Sequence, residues 1–183
     1  VQALKAEKYF VVGDDWQSIY AFRGADVALT RNFQSVFANS HRVFLLHNYR
    51  SAKEIVLLGN KAIRLSSDYV RKRLNATGSR ENKPVFFFGQ AEYATAAWQR
   101  FLTQYPKLRK VPDLATITVL VRTNAQRRLL ERAAPQGLQV MTIHKSKGLE
   151  FDHVVVFGIA ENSMPHRDNQ YDEEVRLLYV ALT

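Results

Sequence analysis

An α/β fold with a mainly parallel sheet flanked by helices is what the sequence predicts, on three observations. Short apolar, β-prone runs alternate with helix-period segments about five times along the 183 residues. Polar clusters follow those runs at Gly13–Gln17, Asn48–Arg50, Arg122–Asn124 and His144–Gly148, the place where open parallel sheets gather ligands. With 46% hydrophobic and 23% charged residues, the chain can enclose a core, which excludes a disordered, collagen-like or disulfide-built protein.

Taken in order, Tyr9 to Val12 reads as a buried strand that stops at Gly13-Asp14-Asp15. Val43 to Leu46 repeats that form and runs into His47-Asn48-Tyr49-Arg50. Ser51 then reads as an N-cap, with Glu54 completing a capping box and Ile55, Leu58, Ala62 and Leu65 on one helical face. Arg71 to Lys83 is polar and reads as a loop, and Val85 to Phe88 as a strand. Tyr93 to Tyr105 reads as a helix ended by Pro106, with a loop over Lys107 to Asp113. Ile117 to Val121, Leu138 to Ile143 and His153 to Phe157 read as strands. Asn124 to Ala134 and Glu173 to Leu182 read as helices.

The charge is uneven. Residues 50 to 132 hold 17 basic against 6 acidic side chains, whereas 161 to 183 hold 2 against 5. A basic middle suits a polyanion, because each neutralised phosphate releases counterions, and it equally suits a soluble basic surface. With no cysteine there is no disulfide, thiol nucleophile or thiolate metal site, and a reducing, cytoplasmic setting is the expectation. The longest apolar run, Val154 to Ala160, is far below the about 20 residues needed to span a bilayer, and no signal peptide opens the chain.

Four segments carry side chains suited to chemistry. Gln17, after Gly13-Asp14-Asp15-Trp16, offers a neutral amide to a phosphate or its attacking water, while Phe22 and Arg23 pair a π face with a cation, as single-strand binders do. Tyr49 can stack on a purine and Arg50 can clamp phosphate oxygens. Around Thr142, His144, Lys147 and Gly148, small and polar groups follow a strand, with Glu150 placed to accept from a ribose hydroxyl. Arg176 sits among apolar residues in the last helix, a setting in which an arginine reaches a specific anion. Local grounds also allow plainer readings: a solvated loop, a tyrosine plugging the sheet edge, a structural histidine, an internal ion pair. No second ligand stands at metal spacing from His144, so no metal site is expected.

Together and in this order, these segments resemble the later motifs of superfamily 1 helicases of the UvrD/Rep type. The resemblance covers nearly the whole chain, including the string Gly13-Asp14-Asp15-Trp16-Gln17-Ser18-Ile19-Tyr20-Ala21-Phe22-Arg23-Gly24-Ala25. It implies a RecA-like lobe of P-loop NTPase type, the second motor lobe, over 42–183, preceded at 1–41 by the end of the first lobe. By resemblance, Gln17, Arg50 and Arg176 are catalytic, with Gln17 sensing the γ-phosphate and the arginines completing the site. Tyr49, Gly148 and Glu150 hold ATP. Phe22, Arg23, Arg122, Asn124, Thr142, His144, Lys147 and His166 meet or couple to DNA. Tyr49, Arg50, Glu150 and Arg176 are thus expected in one pocket at one rim of the sheet.

The implied activity is that of an ATP-dependent DNA helicase moving 3′ to 5′ along single-stranded DNA and unwinding duplex DNA, with the first lobe as partner. The implied cofactors are ATP and Mg²⁺. No stretch matches a GxxxxGK phosphate loop followed by Ser or Thr, or the acidic Mg²⁺-binding motif. The metal ligands are therefore expected outside this segment, which alone is expected to be inactive. An inserted subdomain is missing near 134–138, where only Pro135-Gln136-Gly137 separates helix from strand. The last motif is cut at Thr183, before an expected Arg-Ala. Two alternatives are the helicase subunit of a recombination helicase-nuclease and a non-catalytic DNA-binding module.

Overall fold

The structure is a computed structural model, and it describes residues 8–21, 24, 26–78, 99–104, 113–160, 163–166 and 170–183. In chain order these form a 3₁₀ turn (Asp15–Gln17), α1 (Val27–Arg31), α2 (Phe33–Val36), β1 (His47–Asn48), α3 (Lys53–Ala62), which tightens into a 3₁₀ turn (Ile63–Leu65), and β2 (Asn75–Ala76). Helical residues 99–104 make up α4. A 3₁₀ turn (Leu114–Thr116), β3 (Ile117–Val121), α5 (Asn124–Ala133), β4 (Gln139–Thr142), α6 (Ile143–Ser146), β5 (His153–Val156) and α7 (Tyr171–Leu182) complete the order.

Strand β3 is central because its side chains are buried on both faces, as a covered parallel strand requires. Ile117, Val119 and Val121 point one way, into a cluster with Phe101 and Leu130 of α5. Leu120 points the other way, into a cluster with Ile19, Ile143, Met164, Leu177, Leu178 and Ala181. The strand order is β4-β3-β5, parallel throughout, with Leu120 opposite Met141 on one side and Val156 on the other. The second sheet is the parallel pair β1-β2, joined through α3. A third cluster of Trp16, Ile63, Val175 and Tyr179 ties the first 3₁₀ turn to α3 and α7.

The α/β class and parallel pairing agree with the sequence reading, as do β3, α5 and the core of β4, β5 and α7. Several boundaries differ. Tyr9 to Val12 is not a strand: Phe10 and Val12 are 94% and 76% exposed. A strand persists only where a neighbour completes its ladder, and residues 9–12 take part in no ladder among the described strands. Val43 to Leu46 is likewise extended without being a strand, with Val43 and Leu45 both 81% exposed. Leu46 O accepts from Asn75 N at 2.8 Å, and the ladder begins at His47.

Ser51 does not cap α3. The helix starts at Lys53 with Ala52 at the cap position and no side-chain cap bond, and the Ser51 hydroxyl donates instead to Thr183 O at 3.4 Å. The buried face of α3 is Val56, Gly59, Asn60 and Ala62, and Leu65 is exposed. Tightening from α to 3₁₀ after Ala62 rotates later side chains by about 120° each instead of 100°, which carries Leu65 off the buried stripe. Within the predicted Arg71–Lys83 loop, Asn75–Ala76 pairs as β2. Ile143 opens α6 instead of ending β4, and α7 begins at Tyr171, two residues early. The predicted strand Val85–Phe88, the start of the Tyr93–Tyr105 helix and most of the Lys107–Asp113 loop lie outside the described residues.

The first turn of α7 carries Asp172, Glu173 and Glu174, a favourable arrangement at the positive end of a helix. Each acid fastens a different segment. Asp172 Oδ1 accepts from Ser66 Oγ and Ser67 N, both at 2.7 Å. Burial pushes its carboxyl up, but these hydrogen bonds outweigh that and hold it below the ordinary carboxylate range. Glu173 Oε1 accepts from Ala21 N at 3.0 Å, and Glu174 takes the guanidinium of Arg122. Among the described residues, no helix is long and apolar enough to cross a membrane.

Candidate functional site

Strand β1 ends in a turn that its own last residue organises. Asn48 Oδ1 accepts from Arg50 N at 3.0 Å and from Ser51 N at 2.8 Å, an Asx turn that leaves the Tyr49 ring 80% exposed. The same residue's carbonyl accepts from Thr77 N at 3.0 Å, which brings Gly78 alongside.

Glu150 arrives from the turn between α6 and β5. After α6, Gly148 adopts φ +84°, a left-handed conformation that favours glycine, and Leu149 N closes the turn on Ser146 O at 2.9 Å. Tyr49, Arg50, Ser51, Gly78 and Glu150 then line one cavity of about 400 Å³. Arg50 Nη1 lies 3.5 Å from Glu150 Oε1, and its Nη2 donates to Thr183 O at 3.3 Å. A larger cavity of about 750 Å³ adjoins it, sharing Arg50, Ser51 and Glu150 and reaching Thr118 and Leu120 of β3. An exposed aromatic ring, a guanidinium and a carboxylate around one opening can stack a base, pair an anion and accept from a hydroxyl.

Arg176 is elsewhere. Its side chain is buried, with Nε donating to Ser18 O at 2.9 Å and Nη1 to Asp68 O at 3.2 Å. Burial pulls the guanidinium below its ordinary pKa, with Asp172, Glu173 and Asp15 acting in the opposite direction. The expected convergence therefore holds for Tyr49, Arg50 and Glu150. Arg176 instead stands beside the turn that carries Gln17, because hydrogen-bonding carbonyls satisfy its donors inside the fold. Gln17 itself is half-buried, with Nε2 donating to Asp14 Oδ2 at 2.9 Å.

The residues expected at DNA form a second neighbourhood. Arg122 makes a two-pronged pair with Glu174, Nε at 3.0 Å from both oxygens and Nη2 at 2.5 Å from Oε1. Asn124 is the first, exposed residue of α5, behind a capping box in which Thr123 Oγ1 accepts from Gln126 N. Thr142 is buried at the end of β4. His144 faces Tyr20, whose hydroxyl donates to His144 O at 3.0 Å. Burial first and Arg122 second lower its pKa, against Glu173 and Glu174. Lys147 Nζ sits 5.0 Å from the Tyr20 ring centre, a cation–π contact. His166 is exposed, with its backbone N 3.5 Å from Glu174 Oε2. Phe22 and Arg23 lie outside the described residues.

Among the described residues, no group of three or more His, Cys, Asp or Glu side chains is placed to hold a metal ion. Sequence reasoning missed Ser51 and Gly78 in the pocket wall, and also Lys72, which pairs with Asp14 and Asp15 at 2.7 Å and 3.1 Å. The only signal for Lys72 was an acidic pair at 14–15 and a basic run at 71–73, too far apart in the chain to be matched by inspection.

Two family models match the chain: the UvrD/REP helicase N-terminal domain over residues 1–38 and the UvrD-like helicase C-terminal domain over residues 133–183. DNA helicase IV of Escherichia coli (strain K12) is 33% identical over 196 residues, covering 95% of this chain and 28% of that protein. The ATP-dependent DNA helicase PcrA of Leuconostoc citreum is 33% identical over 133 residues, covering 72% of this chain and 18% of its own length. A probable DNA helicase of Mycoplasma pneumoniae is 28% identical over 190 residues, covering 95% and 36%. The chain thus spans between 18% and 36% of the length of these relatives.

Proposed function

The chain belongs to the UvrD/Rep-type superfamily 1 helicases, and on that premise we propose that it serves in the motor of an ATP-dependent DNA helicase that moves 3′ to 5′ on single-stranded DNA and unwinds duplex DNA. The observation that carries this reading is the meeting of Tyr49, Arg50 and Glu150 around one cavity, from the turn after β1 and the turn after α6. In it, the Tyr49 ring stacks on adenine and Glu150 accepts from the ribose. Arg50 leaves its 3.5 Å pairing with Glu150 for phosphate oxygens. That exchange is inexpensive, since an exposed ion pair contributes only about 0–1 kcal/mol.

The remaining assignments belong to the same proposal. Residues 1–41 end the first RecA-like lobe and 42–183 form the second, with an inserted subdomain missing near 134–138. Gln17 acts at the γ-phosphate, and Arg176 does so after giving up the Ser18 and Asp68 carbonyls. Phe22, Arg23, Arg122, Asn124, Thr142, His144, Lys147 and His166 line or couple to the DNA path. Mg²⁺ supplies charge neutralisation at the phosphates, and the described residues contribute no ligand set to it.

One observation favours a second reading. The internal bonds of Arg176 suit a non-catalytic DNA-binding module, in which that guanidinium is structural. DNA-stimulated ATP hydrolysis separates the two, measured with this segment set in a full-length helicase chain. Arg50→Ala and Arg176→Ala each lose roughly 10³-fold or more in turnover if they act as arginine fingers. Unchanged turnover in both rejects the motor reading.

A further inference from the structure

Four hydrogen bonds hold the turn that carries Gln17 to one short stretch, residues 70–72, beside the packing of Trp16 on Tyr179 and the bond from Arg176 to Ser18 O. Trp16 Nε1 donates to Val70 O at 3.0 Å, and Val70 N donates to Asp15 Oδ2 at 2.7 Å. Lys72 Nζ donates to Asp14 Oδ1 at 2.7 Å and Asp15 Oδ1 at 3.1 Å, and lies 4.9 Å from the Trp16 ring centre. The Lys72 side chain is 12% exposed, so these are shielded, charge-assisted contacts.

The consequence falls on Gln17. Its Nε2 donates to Asp14 Oδ2, the oxygen that Lys72 leaves open. An ionised carboxylate only accepts, so it selects the amide's N–H side and turns Oε1 away. No described residue donates to that oxygen. Lys72 also offsets two carboxylates that would otherwise repel a triphosphate.

We propose that Lys72 is a positioning residue: through Asp14 it fixes the orientation of the Gln17 amide, the group that the helicase reading sets at the terminal phosphate. This inference rests on the helicase reading above and deepens it by naming the residue that holds Gln17 in place.

The test is steady-state DNA-stimulated ATP hydrolysis, with this segment set in a full-length helicase chain. It compares wild type, Lys72→Met, Gln17→Ala and the double variant. Lys72→Met is expected to lower kcat by about tenfold to 10²-fold, the scale of a misplaced reacting group, with KM for ATP within about twofold of wild type. Lys72→Arg restores most of that loss. Adding Lys72→Met to Gln17→Ala costs nothing further, because the two act as one unit. Equal fold losses in both backgrounds, or a wild-type kcat for Lys72→Met, overturn the proposal. Should Lys72→Met lower the unfolding midpoint, Asp14→Asn replaces it, with the same expected loss and the same lack of additivity. A wild-type chain without ATPase activity, or a fully active Arg50→Ala, rejects the helicase reading and this inference together. An active wild type with additive Lys72 and Gln17 losses rejects this inference alone.

Discussion

Arg50 Nη1 and Glu150 Oε1 face each other at 3.5 Å, joining the turn after β1 to the turn after α6 across an open cavity. Their side chains are 46% and 69% exposed, so the contact is screened by water. Glu150→Gln is therefore expected to shift unfolding free energy by no more than about 0.5 kcal/mol in urea titrations. The same change is expected to weaken nucleotide binding by a full-length helicase carrying this segment. A large stability loss would mean that the pair is structural.

Asn60 acts as a piece of missing sheet. Its Nδ2 donates to Leu74 O at 2.8 Å and its Oδ1 accepts from Leu74 N at 3.1 Å, inside the fold. Asn60→Ala strands both backbone groups and is expected to cost about 2–4 kcal/mol in urea unfolding. Asn60→Asp sets a carboxylate against the Leu74 carbonyl and is expected to do no better. Near-neutral behaviour of either variant would show that β2 does not depend on this bracket.

The Arg122–Glu174 pair joins the end of β3 to α7 with Glu174 buried. Glu174→Gln leaves a guanidinium without its counter-charge and is expected to cost about 2–4 kcal/mol. In a double-mutant cycle with Arg122→Met, the two losses are expected to be strongly non-additive. Simple additivity in calorimetric or urea data would remove the pair from the account.

His144 gives a pH signature. Burial, then Arg122, lowers its pKa in the folded state below the ordinary value of 6.5, so protons bind the unfolded chain more readily. Its contribution is therefore fully present above about pH 6.5 and declines as pH falls from there through the folded pKa. The difference in stability between wild type and His144→Gln, followed from pH 8 to pH 5, is expected to shrink in that direction. A difference that stays flat would contradict the assigned shift.

What the sequence made legible was local. Ile117–Val121 is apolar or β-branched throughout and needs no neighbour to announce a buried strand. Tyr9–Val12 and Val43–Leu45 have the same composition, yet stand exposed, because strand identity also requires a partner that lies elsewhere in the chain. Within the site, Tyr49 and Arg50 were readable from a strand-to-helix junction, and Glu150 from the segment after β4. Arg176 was readable as a residue with a specific partner, but not as one whose partners are the carbonyls of Ser18 and Asp68. The Lys72–Asp14–Gln17 chain was invisible, since nothing in a linear pattern pairs a lysine with a carboxylate on another element.

The central claim is that Tyr49, Arg50 and Glu150 make a nucleotide pocket, and photo-crosslinking tests it most directly. A full-length helicase chain carrying this segment, irradiated with an azido-adenine analogue of ATP and digested, is expected to carry the label on the peptide containing Tyr49, with excess ATP suppressing it. Label confined to other peptides, with the Tyr49 peptide unmodified at saturating analogue, would contradict the account.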